Sequence, residues 1–166
     1  YNALDLPWIP PELREDRGEV EAAESGDLPV LLEEPDLRGE LHCHTNYSDG
    51  NSSVEDMVYA ARDFGYSYVA LTDHSKNLGV AGGLDESQLA ERNREVDELN
   101  SRLDDFEVLK GTEVDILEDG SLDYSDDVLE PLDWVIASVH DHFNMDEAEM
   151  TRRIMSAIRN PFVHAI

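Results

Sequence analysis

From Arg38 onward, short apolar runs rich in β-branched residues alternate with longer stretches of helical periodicity. That alternation restricts the chain to a parallel sheet or a β/α barrel, because parallel neighbours need a crossover and a helix usually supplies it. The pattern predicts strands at residues 39–45, 68–72, 108–114 and 134–139, with a fifth opening at 162–166. The first helix begins at Ser53, whose spacing to Asp56 is that of a capping box. Met57, Ala60, Ala61 and Phe64 form its expected apolar stripe, and Gly65 ends it. A glycine-rich loop at 79–83 leads to a long helix over about 85–103. A further helix over 146–160 shows Met150, Ile154, Met155 and Ile158 along one side. Residues 1–37 differ: Pro7, Pro10 and Pro11 punctuate them, and they read as a linker or arm before a domain at 38–166. The chain starts at Tyr1 and stops inside the apolar run 161–166, so a piece of a longer protein is expected.

Charge narrows the partners. Twelve basic residues stand against 39 acidic ones, a formal net charge of −27. A hydrophobic content of 40% with clear periodicity excludes a disordered acidic tail. The acidic excess suits a salt-rich, halophilic cytoplasm and excludes a broad basic footprint on nucleic acid. Any grip on phosphate must therefore be local. One cysteine, Cys43, excludes an internal disulfide and suits a reducing compartment. No apolar run has membrane-spanning length and no secretory signal is visible, so a cytoplasmic location without membrane contact is expected.

The polar residues fall at telling places in the rhythm. His42 and His44, two apart on the first strand, point to one face while Cys43 points to the other. Asp49 lies in the following turn, Asp73-His74 follows the second strand, Glu113 ends the third, and His140 follows the fourth. Singly, a His-x-His pair or a strand-end glutamate is a weak signal, more often solvated than functional. Jointly, four successive strand ends each deliver histidine or carboxylate, and β/α barrels place active sites at that end. Imidazole with carboxylate suits zinc, manganese or iron, and a carboxylate can bridge two ions. The absence of a cysteine pair at finger spacing speaks against a purely structural zinc site.

Other residues are less informative. His142 shares a face with His140 if the strand runs past Val139, and then becomes a substrate contact. Lys76 follows His74 closely enough to meet a phosphate, and Asp73 is placed to orient a ligand. His164 alternates with Phe162 and Ile166 and reads as packing; Lys110 faces away from Glu113. Arg92, Arg94 and Arg102 lie among acidic partners on one helix and read as a solvated face.

The ordered motifs Leu41-His42-Cys43-His44-Thr45, Ser48-Asp49-Gly50, Thr72-Asp73-His74, Gly111-Thr112-Glu113 and Ser138-Val139-His140 resemble the PHP (polymerase and histidinol phosphatase) family. Within it, the run from Ser138 to Asn144 and the proline-rich run from Leu6 to Arg14 resemble the C-terminal PHP domain of family-X DNA polymerases and its connector. The resemblance implies a distorted, TIM-like seven-stranded β/α barrel, here truncated after about five strands. It also implies two to three divalent metals, zinc or manganese foremost and iron next. His42 and His44 would hold one, Glu113 would bridge it to a second held by His140, and Asp49 with His74 would hold the third. Glu113 and His140 would thus be the catalytic pair. The family's remaining ligands are expected beyond Ile166. The implied substrate is DNA, through 3′→5′ exonuclease, 3′-phosphatase or abasic-site endonuclease work in base-excision repair, beside a polymerase domain in the same protein. Two alternatives stay open: a phosphatase of small monoesters such as histidinol phosphate, and a non-catalytic PHP scaffold supporting a polymerase.

Overall fold

The computed structural model describes every residue except Asn2 and Leu4. The chain divides into two compact units, Tyr1–Leu37 and Arg38–Ile166. The first, expected as a linker or arm, holds a short α-helix, α1 (Glu19–Ser25). Gly26 closes it in the left-handed conformation, and Glu19 and Glu21 sit in its first turn, where the exposed N–H groups favour negative charge.

In the second unit, strands and helices alternate as β1 (Gly39–Cys43), α2 (Val54–Asp63), β2 (Tyr68–Leu71), α3 (Glu86–Asn100), β3 (Glu107–Asp115), α4 (Asp126–Leu129), β4 (Trp134–Ser138) and α5 (Glu147–Ile158). The strands form one parallel sheet in the order β1-β2-β3-β4. β3 is shared in a stagger: its residues 107–110 pair with β2 and its residues 111–115 with β4. Such a stagger is the shear that curls a sheet toward a barrel, and the four strands make a curled half-barrel. The expected fifth strand is reduced to a single bridge, Ile136↔Ala165. Its beginning is tied up in a turn, where Asn160 takes the N–H groups of Phe162 and Val163, so pairing starts only at His164.

Two apolar clusters flank the sheet. One gathers Val54, Val58 and Ala61 of α2 with Leu71, Val96, Leu99 and Val108. The other gathers Leu84, Leu89, Val114, Ile116, Tyr124 and Val135. These contacts correct three sequence expectations about helix faces. On α2 the buried stripe is Val54, Val58 and Ala61, while Ala60 and Phe64 are exposed. On α5 it is Arg153 and Ala157, with Met155 and Ile158 exposed. On α3, Arg92 joins Leu89, Val96 and Leu99 inside, whereas Arg94 stays on the solvated face and Arg102 lies exposed in the turn after the helix. No helix among the described residues is long and apolar enough to cross a membrane.

Candidate metal centre

Each strand end presents its polar residues for a local reason. In β1 the register slips between Glu40 and Cys43, and the Glu40 carboxylate accepts the N–H groups of Leu41 and His42. Beyond it, the N–H of Gly50 reaches back to the carbonyl of Thr45 (2.9 Å), a tight turn that carries Asp49 beside His44. His74 continues β2 by one bridge to Glu113, which brings the two side chains together. His140 lies two residues past β4.

The six expected residues converge. The buried Glu113 carboxylate is ringed by four imidazoles: its Oε2 lies 3.2 Å from Nε2 of His42, 3.2 Å from Nε2 of His44 and 3.1 Å from Nδ1 of His74. Its Oε1 lies 3.2 Å from Nε2 of His140. Asp49 offers one oxygen to Nδ1 of His44 at 2.8 Å and the other to Nε2 of His74 at 3.6 Å. Three overlapping triads result: His42–His44–Glu113, His44–Asp49–His74 and His74–Glu113–His140, each with ligand atoms within 4.8 Å of one another.

Tautomers decide what the cluster wants. An ionised carboxylate only accepts, so the 2.6 Å contact from His140 Nδ1 to Asp115 and the 2.8 Å contact from His44 Nδ1 to Asp49 place a proton on each Nδ1. In the neutral rings, Nε2 then turns a lone pair toward the Glu113 carboxylate, an arrangement relieved by a cation between them. Nε2 of His44 and Nδ1 of His74 are buried and make no hydrogen bond among the described residues. Ligand atoms about 2.0–2.1 Å from a shared tetrahedral ion stand about 3.3 Å apart, close to the observed spacings. Metal-binding histidines also commonly donate the second ring N–H to a carboxylate, as His44 and His140 do here. The residues present fit divalent metal.

Burial pushes Glu113 up, but His44, His74, His42 and His140 outweigh it and hold the carboxyl at about 2. The adjoining Glu113 carboxylate draws His44 upward against burial, while burial lowers His74. Asp49 is lowered, its partial burial offset by His44 and His74.

Asp115 escaped the sequence reading. It is buried, its carboxylate accepts from Nδ1 of His140 at 2.6 Å and from Nδ2 of Asn77 at 2.8 Å, and its backbone N–H donates to the Ser75 hydroxyl. The signal existed: Asp115 is two residues from Glu113 on one strand, the spacing that paired His42 with His44. Asp73 is buried too and accepts from Thr45 and Ser48 of the Asp49 turn.

The remaining expected residues lie outside the three triads. Lys76 pairs with Glu86 and lies over the Tyr124 ring at 5.8 Å. β4 ends at Ser138, and His142 follows in a left-handed turn (φ 53°), its ring facing Asp141 at 3.1 Å and Glu118 at 3.6 Å. The buried Arg153 secures that turn by donating to the carbonyl and carboxylate of Asp141 and to the carbonyls of Ile116 and Leu117. His164 packs on Trp134 with its Nδ1 accepting from Val135 N–H, and Lys110 pairs with Asp97.

A curled parallel sheet with histidines and carboxylates gathered at its carboxyl ends defines a barrel-type metal-binding domain. Residues 40–160 match the family model for the PHP domain, and the chain belongs to that family. It is 45% identical to the "DNA polymerase/3'-5' exonuclease PolX" of Bacillus subtilis over 166 residues, all of this chain and 29% of that protein. A "Probable phosphatase" of Caldicellulosiruptor bescii is 32% identical over 135 residues, 78% of this chain and 53% of that protein. An "Error-prone DNA polymerase" of Cutibacterium acnes is 54% identical over 55 residues, 31% of this chain and 5% of that protein. The chain thus spans between a twentieth and about half of the length of these relatives.

Proposed function

We propose that this PHP domain hydrolyses phosphate esters at DNA ends, as 3′→5′ exonuclease, 3′-phosphatase or abasic-site endonuclease, within a family-X DNA polymerase serving base-excision repair. The observation that carries this is the reach of the similarity. The polymerase/exonuclease relative matches all 166 residues, including the arm at 1–37, whereas the phosphatase match covers 78% of the chain. The arm is then the lead-in from a polymerase module. The phosphatase relatives support the alternative, a small-monoester phosphatase, for the PHP unit alone.

Two or three divalent ions, zinc or manganese by ligand type, would supply a water acidic enough to attack phosphorus near neutral pH and positive charge for the phosphate oxygens. The protein's own part is placement. Glu113 turns one oxygen to His42, His44 and His74 and the other to His140, the disposition of a bridging carboxylate. With its carboxyl held at about 2, it stays anionic at any working pH. Asp115 aims His140 Nε2 into the cluster. His42 and Asp49 are about half exposed, at 48% and 45%, so substrate enters on their side. His142 and Lys76 sit on the loops after β4 and β2 and are the proposed substrate contacts; Lys76 must first leave Glu86.

The test is Glu113→Gln in the full-length protein, assayed on a labelled DNA 3′ end, a 3′-phosphate, an abasic site and histidinol phosphate. Metal-dependent cleavage of DNA should vanish in the variant, because an amide bridges two ions poorly, while nucleotide addition by a polymerase module survives. Hydrolysis of histidinol phosphate with none of DNA by the wild type would move the assignment to the small-molecule phosphatase. Silence on every substrate with metals bound would leave a scaffold.

A further inference from the structure

A fully buried guanidinium sits on the apolar stripe of α3, where an aliphatic side chain would pack without needing partners. Arg92 lies between Leu89 and Val96 and is 0% exposed. Burying its charge is costly unless specific acceptors meet it, and among the described residues both terminal nitrogens find them while Nε finds none. Its Nη1 donates to the carbonyl of Leu71 at 2.7 Å and to Oδ2 of Asp73 at 3.2 Å. Its Nη2 donates to the carbonyl of Gly111 at 2.6 Å and to Oδ1 of Asn93 at 2.8 Å. The head group therefore clamps the end of β2, the middle of β3 and Asp73 together.

Asp73 passes this grip onward. With Oδ2 on Arg92, its Oδ1 accepts the Thr45 N–H at 2.7 Å, the Thr45 hydroxyl at 3.0 Å and the Ser48 hydroxyl at 2.8 Å. Thr45 adjoins His44, and Ser48 adjoins Asp49. Two buried side chains thus connect a helix on the outside of the sheet to the turn that delivers two residues of the His44–Asp49–His74 triad. A planar fork with fixed donors suits this task, because one rigid group sets several acceptors at once.

We propose that Arg92 is a positioning residue of the metal centre: through Asp73 it fixes the turn carrying His44 and Asp49, and so sets the geometry of that corner of the cluster. The inference rests on reading the cluster as a metal centre. Lysine at this position keeps the charge, but its single ammonium cannot hold Asp73 and both strand carbonyls together. Ser48→Ala removes the relay's contact next to Asp49, at a half-buried site, and leaves the Thr45 contacts and the core untouched.

The experiment titrates cobalt(II) into the metal-free full-length protein, recording visible absorption and bound equivalents, with thermal unfolding in chelator as the control for fold. Arg92→Lys and Ser48→Ala should each weaken one class of cobalt site, about tenfold or more by analogy with other residues that orient metal ligands, and alter its absorption bands. The other sites should fill as in the wild type. Arg94→Met, on the exposed face of the same helix, should change nothing. Combined in one protein, Arg92→Lys and Ser48→Ala should lose less than the sum of their separate effects, since both act through Asp73. Should Arg92→Lys fail to fold, Ser48→Ala alone still decides whether Asp73 steers the turn. Wild-type stoichiometry, affinity and spectrum in Ser48→Ala, or in a folded Arg92→Lys, would overturn the proposal while leaving the metal centre intact. A wild-type protein that binds no cobalt would overturn both.

Discussion

Removing the Asp115 carboxylate should separate metal affinity from stability. In Asp115→Ala, His140 loses the 2.6 Å acceptor that holds its Nδ1 proton, so the ring is free to rotate and to place the proton on Nε2, the atom now facing Glu113 at 3.2 Å. Partners of this kind are worth about 10–100-fold in metal affinity, or about 1.4–2.7 kcal/mol at about 1.4 kcal/mol per decade. The fold should lose little. His140 is 22% exposed and Asn77 is exposed, so both abandoned donors reach water, and the Asp115 backbone N–H keeps the Ser75 hydroxyl. A buried anion also disappears from a chain of net charge −27. Zinc affinity measured against a chromophoric chelator should fall by one to two decades, while urea unfolding of the metal-free protein shifts by less than about 1 kcal/mol. Asp115→Asn, which keeps a neutral acceptor, should fall between the two. Unchanged zinc affinity in Asp115→Ala would refute the orienting role, and equal losses of affinity and stability would recast Asp115 as a packing residue.

Two further outcomes follow from geometry and charge. A Cβ added at Gly50 would stand 2.4 Å from the carbonyl oxygen of His44 and 2.7 Å from that of Thr45, both backbone atoms. Gly50→Ala should therefore displace the Asp49 turn, costing about 1–3 kcal/mol of stability and weakening cobalt binding; a wild-type melting point would show that the turn yields freely. The acidic excess should make thermal stability rise with KCl, as salt shortens the reach of self-repulsion to about 10 Å at 0.1 M. A midpoint that stays flat or falls between dilute and molar KCl would remove the salt-adapted reading.

The strand rhythm and the six clustered residues were legible because both are matters of period and order. An apolar strand followed at once by histidine or carboxylate says where that side chain goes, provided strand ends gather. The helix faces were less legible. On α2, Val54–Val58–Ala61 and Met57–Ala60–Phe64 are both arcs of helical spacing, and only the sheet beneath decides between them. Arg92 and Arg153 were hidden for another reason. Each occupies an inward position of its helix, where a charge reads as an interruption of the stripe, and the carbonyls that receive it come from 12 to 37 residues away. Long-range acceptors leave no periodic trace. The fifth strand was over-read because alternation at 162–166 cannot reveal that Asn160 holds its first residues in a turn.

The same acidic composition sets how a phosphate can be handled. Half of the twelve basic side chains are already spoken for: Arg92 and Arg153 are buried, Lys76 faces Glu86, Lys110 faces Asp97, Arg62 faces Asp105 and Arg102 faces Glu55. An anionic substrate approaching a surface of net charge −27 meets repulsion over a Debye length and few free cations to offset it. Compensation must come from the cluster, where three carboxylates, Asp49, Glu113 and Asp115, sit among four histidines. Those anions would repel phosphate unless divalent ions outweighed them. Divalent ions would thus do two jobs here, relieving the crowded carboxylates and supplying strong positive charge for the phosphate. On the proposed reading, Asp115, Asp73 and Arg92, which hold His140 and the His44–Asp49 turn in place, become as decisive for the chemistry as the clustered residues themselves.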